Sequence, residues 1–314
     1  MDVDGISIAK ALEIENASIV EGLVNGSGYL VLKNKAGTEF NAGLVVRPPK
    51  IELFVNDAAT ENFVLEEGAQ LLHVQAIGGG GGGAAGTVSG GDNASGGGGS
   101  GAGWNELWLP ASSLAAFGPA PELRVDVGAG GVGGSFSGGD GANGGDSEFW
   151  LLDGAAHRSL LIVDGGTGGL AVGPATSGEQ PVAAAGNLFG GAGGSGRGDF
   201  ATPSTPVSAL RGGGGGGGGI NSGGGAIQNG GVGGAGGSAS PPVGSSGQLA
   251  LYAGIPMGGG GGLGGGSHTS APIARPGYDG GLYGGGGGGG AGVNLEFGNG
   301  GAGGSGMVLV ITYF

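Results

Sequence analysis

The sequence predicts a mainly β and irregular fold, in which small β-strand modules accompany a bundle of polyglycine-II-type helices. Glycine supplies 92 of the 314 residues, and much of it falls in unbroken runs. Short apolar segments with strand-like alternation separate these runs. Only 11% of the residues are charged, whereas disordered chains combine low hydrophobicity with high charge. An ordered but atypical glycine-rich protein follows, with disorder as the alternative.

Residues 1–50 are predicted to form an N-terminal β module that ends in a proline linker. Segments 6–8 and 12–14 alternate apolar and polar residues, as strands with one solvated face do. Segments 29–32 and 40–46 flank the sequence Asn-Lys-Ala-Gly at 34–37, which is typical of a hairpin turn. The sequence Arg-Pro-Pro-Lys at 47–50 forms a stiff break before the next unit.

Residues 51–314 are predicted to form one glycine-rich domain, with a cap of β-strands on a glycine-helix bundle and projecting loops. The apolar segment at 71–77 leads directly into the first glycine run. The predicted strands are 51–55, 63–65, 71–77, 106–109, 123–127, 148–152, 160–163, 249–253 and 307–314.

The glycine runs favour a threefold extended helix over a sheet or a collagen helix. The longest runs are 78–83, 212–219, 258–262 and 284–290. At a rise of ~3.1 Å per residue, eight residues span roughly 25 Å. Without Cβ atoms, such helices can pack side by side and pair their buried backbone groups with one another. Collagen would need glycine at every third position, not continuous glycine.

Composition excludes several classes of function. The net charge of −14 opposes binding to nucleic acid. The absence of cysteine excludes disulfides and thiolate metal sites. No apolar run approaches the ~20 residues of a membrane span, so no membrane insertion is expected. The three histidines are scattered and no catalytic arrangement is visible, so we expect neither an enzyme nor a cofactor.

Segment 138–146 loosely resembles a calcium-binding nonapeptide repeat. That fold needs tandem copies to complete each site, and the sequence has one copy. We therefore expect Asp140 and Asp146 to cap or solubilise a turn, with calcium binding as the alternative.

The order of the strand and glycine segments resembles the glycine-rich domain of bacteriophage tail fibre and minor tail proteins. Segment 63–77 leads through two apolar stretches into polyglycine, 125–131 ends in Gly-Ala-Gly-Gly, and 303–314 is similar to the family's terminal strand. The resemblance covers about residues 60–314. It implies a virion location in the tail, attachment to other tail proteins through the N-terminal module, and a homotrimer. It also implies loops at the end of the bundle that bind a host-surface glycan or protein.

Aromatic residues between the glycine runs are the candidate receptor-binding residues, because exposed aromatics on rigid loops are common binding anchors. The alternative, equally open, is that they pack against the ends of glycine helices. These candidates are Phe189, Phe200, Tyr278 and Tyr283. By contrast, Trp104, Trp108 and Trp150 lie beside predicted strands and are expected in the small core.

The main rival function is a bacterial glycine-rich cell-surface or wall structural protein. The N-terminal sequence lacks the basic and apolar regions of a secretory signal, which counts against this rival. An ice-binding glycine-helix protein and a disordered spacer are the remaining alternatives.

Overall fold

The computed structural model describes residues 2–3, 6–7, 17–25, 29–44, 47–55, 60–89, 92–118, 120–135, 138–171, 249–252, 255–259, 262, 275–293 and 296–314. One short 3₁₀ helix, Ala111–Phe117, lies within these ranges. The strands are β1 Asp2–Val3, β2 Ile6–Ser7, β3 Ile19–Val24, β4 Tyr29–Asn34, β5 Glu39–Leu44, β6 Lys50–Phe54, β7 Glu61–Phe63, β8 Leu71–Ile77, β9 Thr87–Ser89, β10 Asp92–Ala94, β11 Trp104–Pro110, β12 Glu122–Asp126, β13 Ser147–Asp153, β14 Ala156–Val163, β15 Leu249–Tyr252, β16 Ile255–Gly259, β17 Gly292–Val293, β18 Glu296–Phe297 and β19 Met307–Tyr313.

Three antiparallel sheets of three or more strands organise the described residues. The N-terminal sheet has the order β3-β4-β5. The first sheet of the glycine-rich part has the order β11-β8-β19-β6, and the second has the order β14-β13-β12-β7. The remaining described strands form two-stranded pairs.

The first and second sheets pack face to face around one hydrophobic core. Alternate residues of each strand point inward, as the period of a strand requires. Leu72 and Val74 of β8 meet Val125 of β12 and Phe149 of β13, all fully buried. Phe63 packs edge-on against Phe149, with ring centroids 5.8 Å apart. The two sheets and the core between them form a small β-sandwich.

All the described glycine segments that adjoin the sandwich join it at one end. Segments 78–86, 127–135 and 164–171 follow β8, β12 and β14, while 95–103, 139–146 and 298–306 precede β11, β13 and β19. The segments therefore run side by side away from the sandwich.

The central tract, residues 78–86, is hydrogen-bonded to its neighbours with a period of three residues. The amides of Gly79, Gly82 and Ala85 donate to Gly145, Ala142 and Gly139, each at 2.9 Å. Gly80, Gly83 and Gly86 donate to segment 298–304. Gly81 and Ala84 donate to segment 97–100. The carbonyls repeat the pattern, accepting from 131–138, 166–169 and 287–290. A strand would bond to two neighbours, whereas this tract bonds to six segments.

Close backbone contact explains why the tract is almost all glycine. A Cβ added at Gly82 would lie 2.5 Å from the carbonyl carbon of Val132 and closer still to its oxygen. Ordinary van der Waals contact at a Cβ begins at 3.4 Å. The same overlap occurs at every position of 78–83, each against backbone. The backbones therefore approach to distances that only glycine permits.

Most predicted strands are confirmed with boundaries shifted by a few residues. Correction is needed at 258–262, where Gly258 and Gly259 belong to β16 and pair with Ala250 and Leu249 of β15. These two glycines lie in a strand, not in a glycine helix, because an apolar partner strand lies beside them. The strand predicted within 12–14 and the glycine run at 212–219 lie outside the described residues.

Candidate functional site

The structure describes two of the four candidate aromatic residues. Tyr283 is buried against Ile77 and Met307 where the glycine segments join the first sheet. Tyr278 is half-buried, and its carbonyl accepts the amide of Gly288. The burial of Tyr283 favours packing against a glycine segment over contact with a receptor. Phe189 and Phe200 lie outside the described residues.

An aromatic and polar surface occupies the outer face of the first sheet, on the side of β8 and β11. We call it the Trp108 platform; it comprises His73, Gln75, Glu106, Trp108 and Tyr313. The Trp108 ring stacks on His73, with centroids 3.7 Å apart and planes 9° apart. It also lies beside Tyr313, at 6.2 Å and 23°. Trp108 was expected in the core, yet it is 51% exposed.

Strand register assembles this platform. Trp108 is directly opposite His73, and Glu106 is directly opposite Gln75, in the β8–β11 pair. Paired residues of neighbouring strands lie on one face. His73 Nε2 lies 2.9 Å from Glu106 Oε2 and donates to that carboxylate. The bond to Glu106 therefore fixes the orientation of the His73 ring, and the stacking contact with His73 fixes the Trp108 ring.

A second stack of the same residue types lies on the second sheet. Trp150 stacks on His157, with centroids 4.1 Å apart and planes 8° apart. His157 Nε2 is 2.7 Å from Glu148 Oε1. The Trp150 indole N–H donates to Asp126 Oδ2 at 2.7 Å. Trp150 is half-buried, so less of its ring is accessible than that of Trp108.

Acidic residues in segment 139–146 bind backbone amides. Asp140, Asn143 and Asp146 are three residues apart, and their Oδ1 atoms accept the amides of Ala171, Gly168 and Gly165. The bond lengths are 2.8 to 2.9 Å. These side chains therefore join two glycine segments. Asp140 and Asp146 thus bind amides of another glycine segment, rather than capping a turn of their own segment as expected.

Burial raises the pKa of the Asp164 carboxyl, and the nearby Asp146 carboxylate raises it further. Asp164 lies where β14 passes into its glycine segment, and its carbonyl accepts the amide of Gly103. This hydrogen bond fixes the backbone at Asp164, and that position places the Asp164 carboxyl in a partly desolvated site.

An ion cluster fixes the proline linker to the sandwich. Lys50 Nζ lies 2.6 Å from Glu66 Oε1, and Arg47 pairs with the same carboxylate. The bond from Lys50 lowers the pKa of Glu66, and the bond to Glu66 raises the pKa of Lys50. The Arg47 guanidinium also lies 3.7 Å from the centroid of the Phe314 ring. The cluster holds residues 47–50 against the end of the sandwich that lies away from the glycine segments.

A groove opens at this same end, beside the 3₁₀ helix. Its volume is about 610 Å³, and Leu65, Ala69, Ala115 and Pro121 contribute apolar walls. Among the described residues that line it, Glu66 is the one charged residue, and its partners are the two linker cations. Apolar side chains and glycine make up most of the groove's lining.

Among the described residues, no group of three or more His, Asp and Glu side chains is placed to hold a metal ion. Within the same ranges, the structure contains no helix of the length and apolarity that a membrane crossing requires.

Sequence reasoning missed the exposure of Trp108, although a signal for it was present. Positions 104, 106 and 108 of β11 share one face, so Glu106 places a charge between the two tryptophans. Trp104 at the glycine end packs with Tyr283 and is buried, whereas Trp108 lies beyond this cover. A charged residue between two aromatics in a strand indicates that one of them faces solvent.

The sequence matches the model of a known protein family. No curated protein matches this sequence. A family model described as a glycine-rich domain matches residues 56–313, which include the sandwich without β6, the central tract and the Trp108 platform. The chain belongs to this glycine-rich domain family.

Proposed function

We propose that this protein is a non-enzymatic phage virion component of the tail tip or tail fibre, which attaches to the host surface through loops on a rigid glycine-rich bundle. The observation that carries the proposal is the bonding of the central tract to six neighbouring segments. A spacer gains nothing from such an arrangement, because a flexible glycine linker performs that role without ordering its backbone. A projecting body that must hold loops in fixed positions does gain from it.

The glycine segments are best explained as polyglycine-II-type helices packed in a bundle. The support is the three-residue period of the hydrogen bonds and their distribution over six neighbours. A threefold helix points successive N–H groups in three directions, which this pattern requires. The clash of any added Cβ with neighbouring backbone is the second support.

Rigidity serves attachment, since loops that are already ordered lose less entropy when they bind. Two hairpins, β9–β10 and β17–β18, lie beyond the glycine segments and contact each other there. Ala171, the last residue of the described range 138–171, lies at this far end too. We place receptor-binding loops at this end.

The N-terminal sheet is the element we assign to the tail. Strands β3 to β5 contact chiefly one another, yet Val20, Leu23, Tyr29 and Phe40 expose much of their apolar surface. Leu23 and Phe40 lie on opposite faces by the strand register, so both faces of this three-stranded sheet expose apolar surface that needs cover for stability. Other tail proteins, and two further copies of the chain in a homotrimer, are the proposed cover.

Location decides between this proposal and its rival, a bacterial glycine-rich surface or wall protein. An antibody raised against the full chain should label the tails of purified phage particles and reduce their adsorption to host cells. Labelling of uninfected bacterial surfaces, with none on particles, would instead establish the rival. Label on tails without any effect on adsorption would leave a structural tail protein and remove the attachment role.

A further inference from the structure

The Trp108 platform has a feature that the core of the protein does not explain. A tryptophan that only fills a core is covered, whereas Trp108 leaves 51% of its surface in solvent. Its ring is nevertheless held, because His73 lies flat against it and is itself bonded to Glu106. Ordering a large exposed aromatic side chain costs entropy with little return from burial.

The geometry of the rings limits the class of ligand that the platform can bind. The three rings of the platform are stacked, with planes 9° and 23° apart. Aromatic cages for quaternary ammonium ions surround a compact cation with several ring faces. Stacked rings instead present a single flat face. A flat face fits a flat ligand, such as the less polar side of a pyranose ring.

Polar groups beside the indole supply the second half of such a site. The Glu106 side chain is 42% exposed, and a carboxylate only accepts hydrogen bonds. Gln75, the cross-strand partner of Glu106, is half-buried on the same face. A sugar ring stacked on Trp108 would have hydroxyl donors within reach of this carboxylate.

Charge excludes one class of sugar. The chain has a net charge of −14, and Glu106 places a negative charge next to the indole. Described basic side chains are absent from the platform apart from His73, which is turned to Glu106 and is 7% exposed. Sialylated, sulfated or phosphorylated sugars would therefore be repelled.

We propose that the Trp108 platform binds neutral pyranosides, with the sugar ring stacked on Trp108 and its hydroxyls donating to Glu106. The assignment rests on the proposed host-attachment function, and makes the side of the sandwich a glycan-binding surface separate from the loops at the far end. Because β11 is an edge strand of its sheet, an extended glycan can reach the indole from the side.

The test is a glycan array probed with the full-length protein, carrying neutral hexose and N-acetylhexosamine oligosaccharides, sialylated oligosaccharides and a choline conjugate. Binding is then measured by fluorescence titration with the strongest neutral oligosaccharide. We expect neutral oligosaccharides to bind, and Trp108→Ala to weaken that binding at least tenfold. Glu106→Gln should weaken it several-fold, because a neutral amide accepts hydroxyl protons less strongly.

Two matched variants control for general damage. Ile51 lies on the same face of the first sheet and is 57% exposed, but it is at the opposite edge. Trp150 is stacked on a histidine in the same way on the other sheet. Ile51→Ala and Trp150→Ala should both leave neutral-sugar affinity within twofold of the original chain. Circular dichroism checks that each variant is folded.

Several outcomes would overturn the assignment: no neutral sugar bound, choline or a sialylated sugar bound best, or Trp108→Ala binding as tightly as the original. A change in oligomeric state with Trp108→Ala and no sugar binding would show that the platform contacts another copy. The attachment function is judged separately, by the location of the chain on phage tails. Sugar binding at Trp108 by a chain that is absent from tails would retain the platform and reject the virion role.

Discussion

Individual residues in segment 139–146 show how strictly position decides what a glycine segment tolerates. Gly141 and Gly144 face the central tract, and an added Cβ at either would overlap the carbonyl of Gly82 or Gly79. Ala142, between them, is exposed. Asp140 and Asn143 face a third direction and bond to another segment. Three consecutive residues thus have three different environments, as the threefold helix that we propose for these segments requires.

Gly141→Ala should lower the free energy of unfolding by at least about 2 kcal/mol, because overpacking against backbone cannot be relieved by a rotamer change. The Cβ would lie 2.5 Å from the carbonyl carbon of Gly82. Ala142→Ser, one residue away and exposed, should change stability by less than about 0.5 kcal/mol. Thermal unfolding followed by calorimetry measures both. Equal stability of the two variants would contradict the packing described for the central tract.

Asp164 should make the protein less stable at neutral pH than at acidic pH, as far as this one residue contributes. Its pKa is raised above the ordinary value of 3.8 by burial and by Asp146, so the folded state binds the proton more tightly than the unfolded state. The stability that protonated Asp164 contributes to the folded state is therefore lost as the pH rises above 3.8.

Asp164→Asn should accordingly raise the melting temperature at pH 7. The gain in melting temperature should disappear below pH 3.8, the ordinary pKa of the carboxyl. Asp153→Asn, at the exposed end of β13, reports the general effect of removing one negative charge. A gain that is the same at pH 3 and pH 7, or the same in both variants, would contradict the burial of Asp164.

At the scale of elements, the junction between the sandwich and the glycine segments depends on one buried hydroxyl. Ser147, the first residue of β13, is fully buried. Its Oγ donates to the carbonyl of Ile77 at 2.7 Å and accepts the amide of Gly128 at 2.9 Å. It thereby pairs the last residue of β8 with the first glycine after β12. Both sheets and two glycine segments meet at this side chain.

Ser147→Ala should cost about 1–3 kcal/mol of stability, since it leaves a buried carbonyl and a buried amide without this partner. Ser112→Ala, in the exposed part of the 3₁₀ helix, should cost almost nothing. Chemical denaturation of the two variants gives the difference. If Ser147→Ala proved as stable as Ser112→Ala, the hydroxyl would not hold the junction together.

Elements with a strong apolar period were readable from the sequence, and others were not. Strands such as β8, β13 and β19 were predicted because apolar residues recur along them. Strand β3 was missed because Gly22 interrupts it, and β9 and β10 because they are three residues long within glycine-rich sequence. Which of the two tryptophans of β11 is exposed could not be read, because it depends on where the segment containing Tyr283 covers the sheet.

For the whole molecule, the glycine segments should behave as a folded body. Their amides are bonded in a network with the central tract at its middle, and such amides exchange only when the network opens. Peptides covering 79–86 should therefore exchange hydrogen as slowly as peptides covering β8. Peptides from 29–44, in the exposed N-terminal sheet, should exchange faster. Exchange of 79–86 within seconds would contradict the hydrogen-bond network of the central tract.

The position of β19 has a consequence for how the protein is made. This strand lies between β6 and β8 in the first sheet, yet it follows them by more than two hundred residues. At 5–20 residues per second, a ribosome takes roughly 10 to 45 s to synthesise the intervening chain. During that interval β6 and β8 lack the strand that joins them. A chain cut short before residue 307 would carry every glycine segment and still leave the sheet open, so completion of the sandwich reports that translation has passed through the entire glycine-rich region.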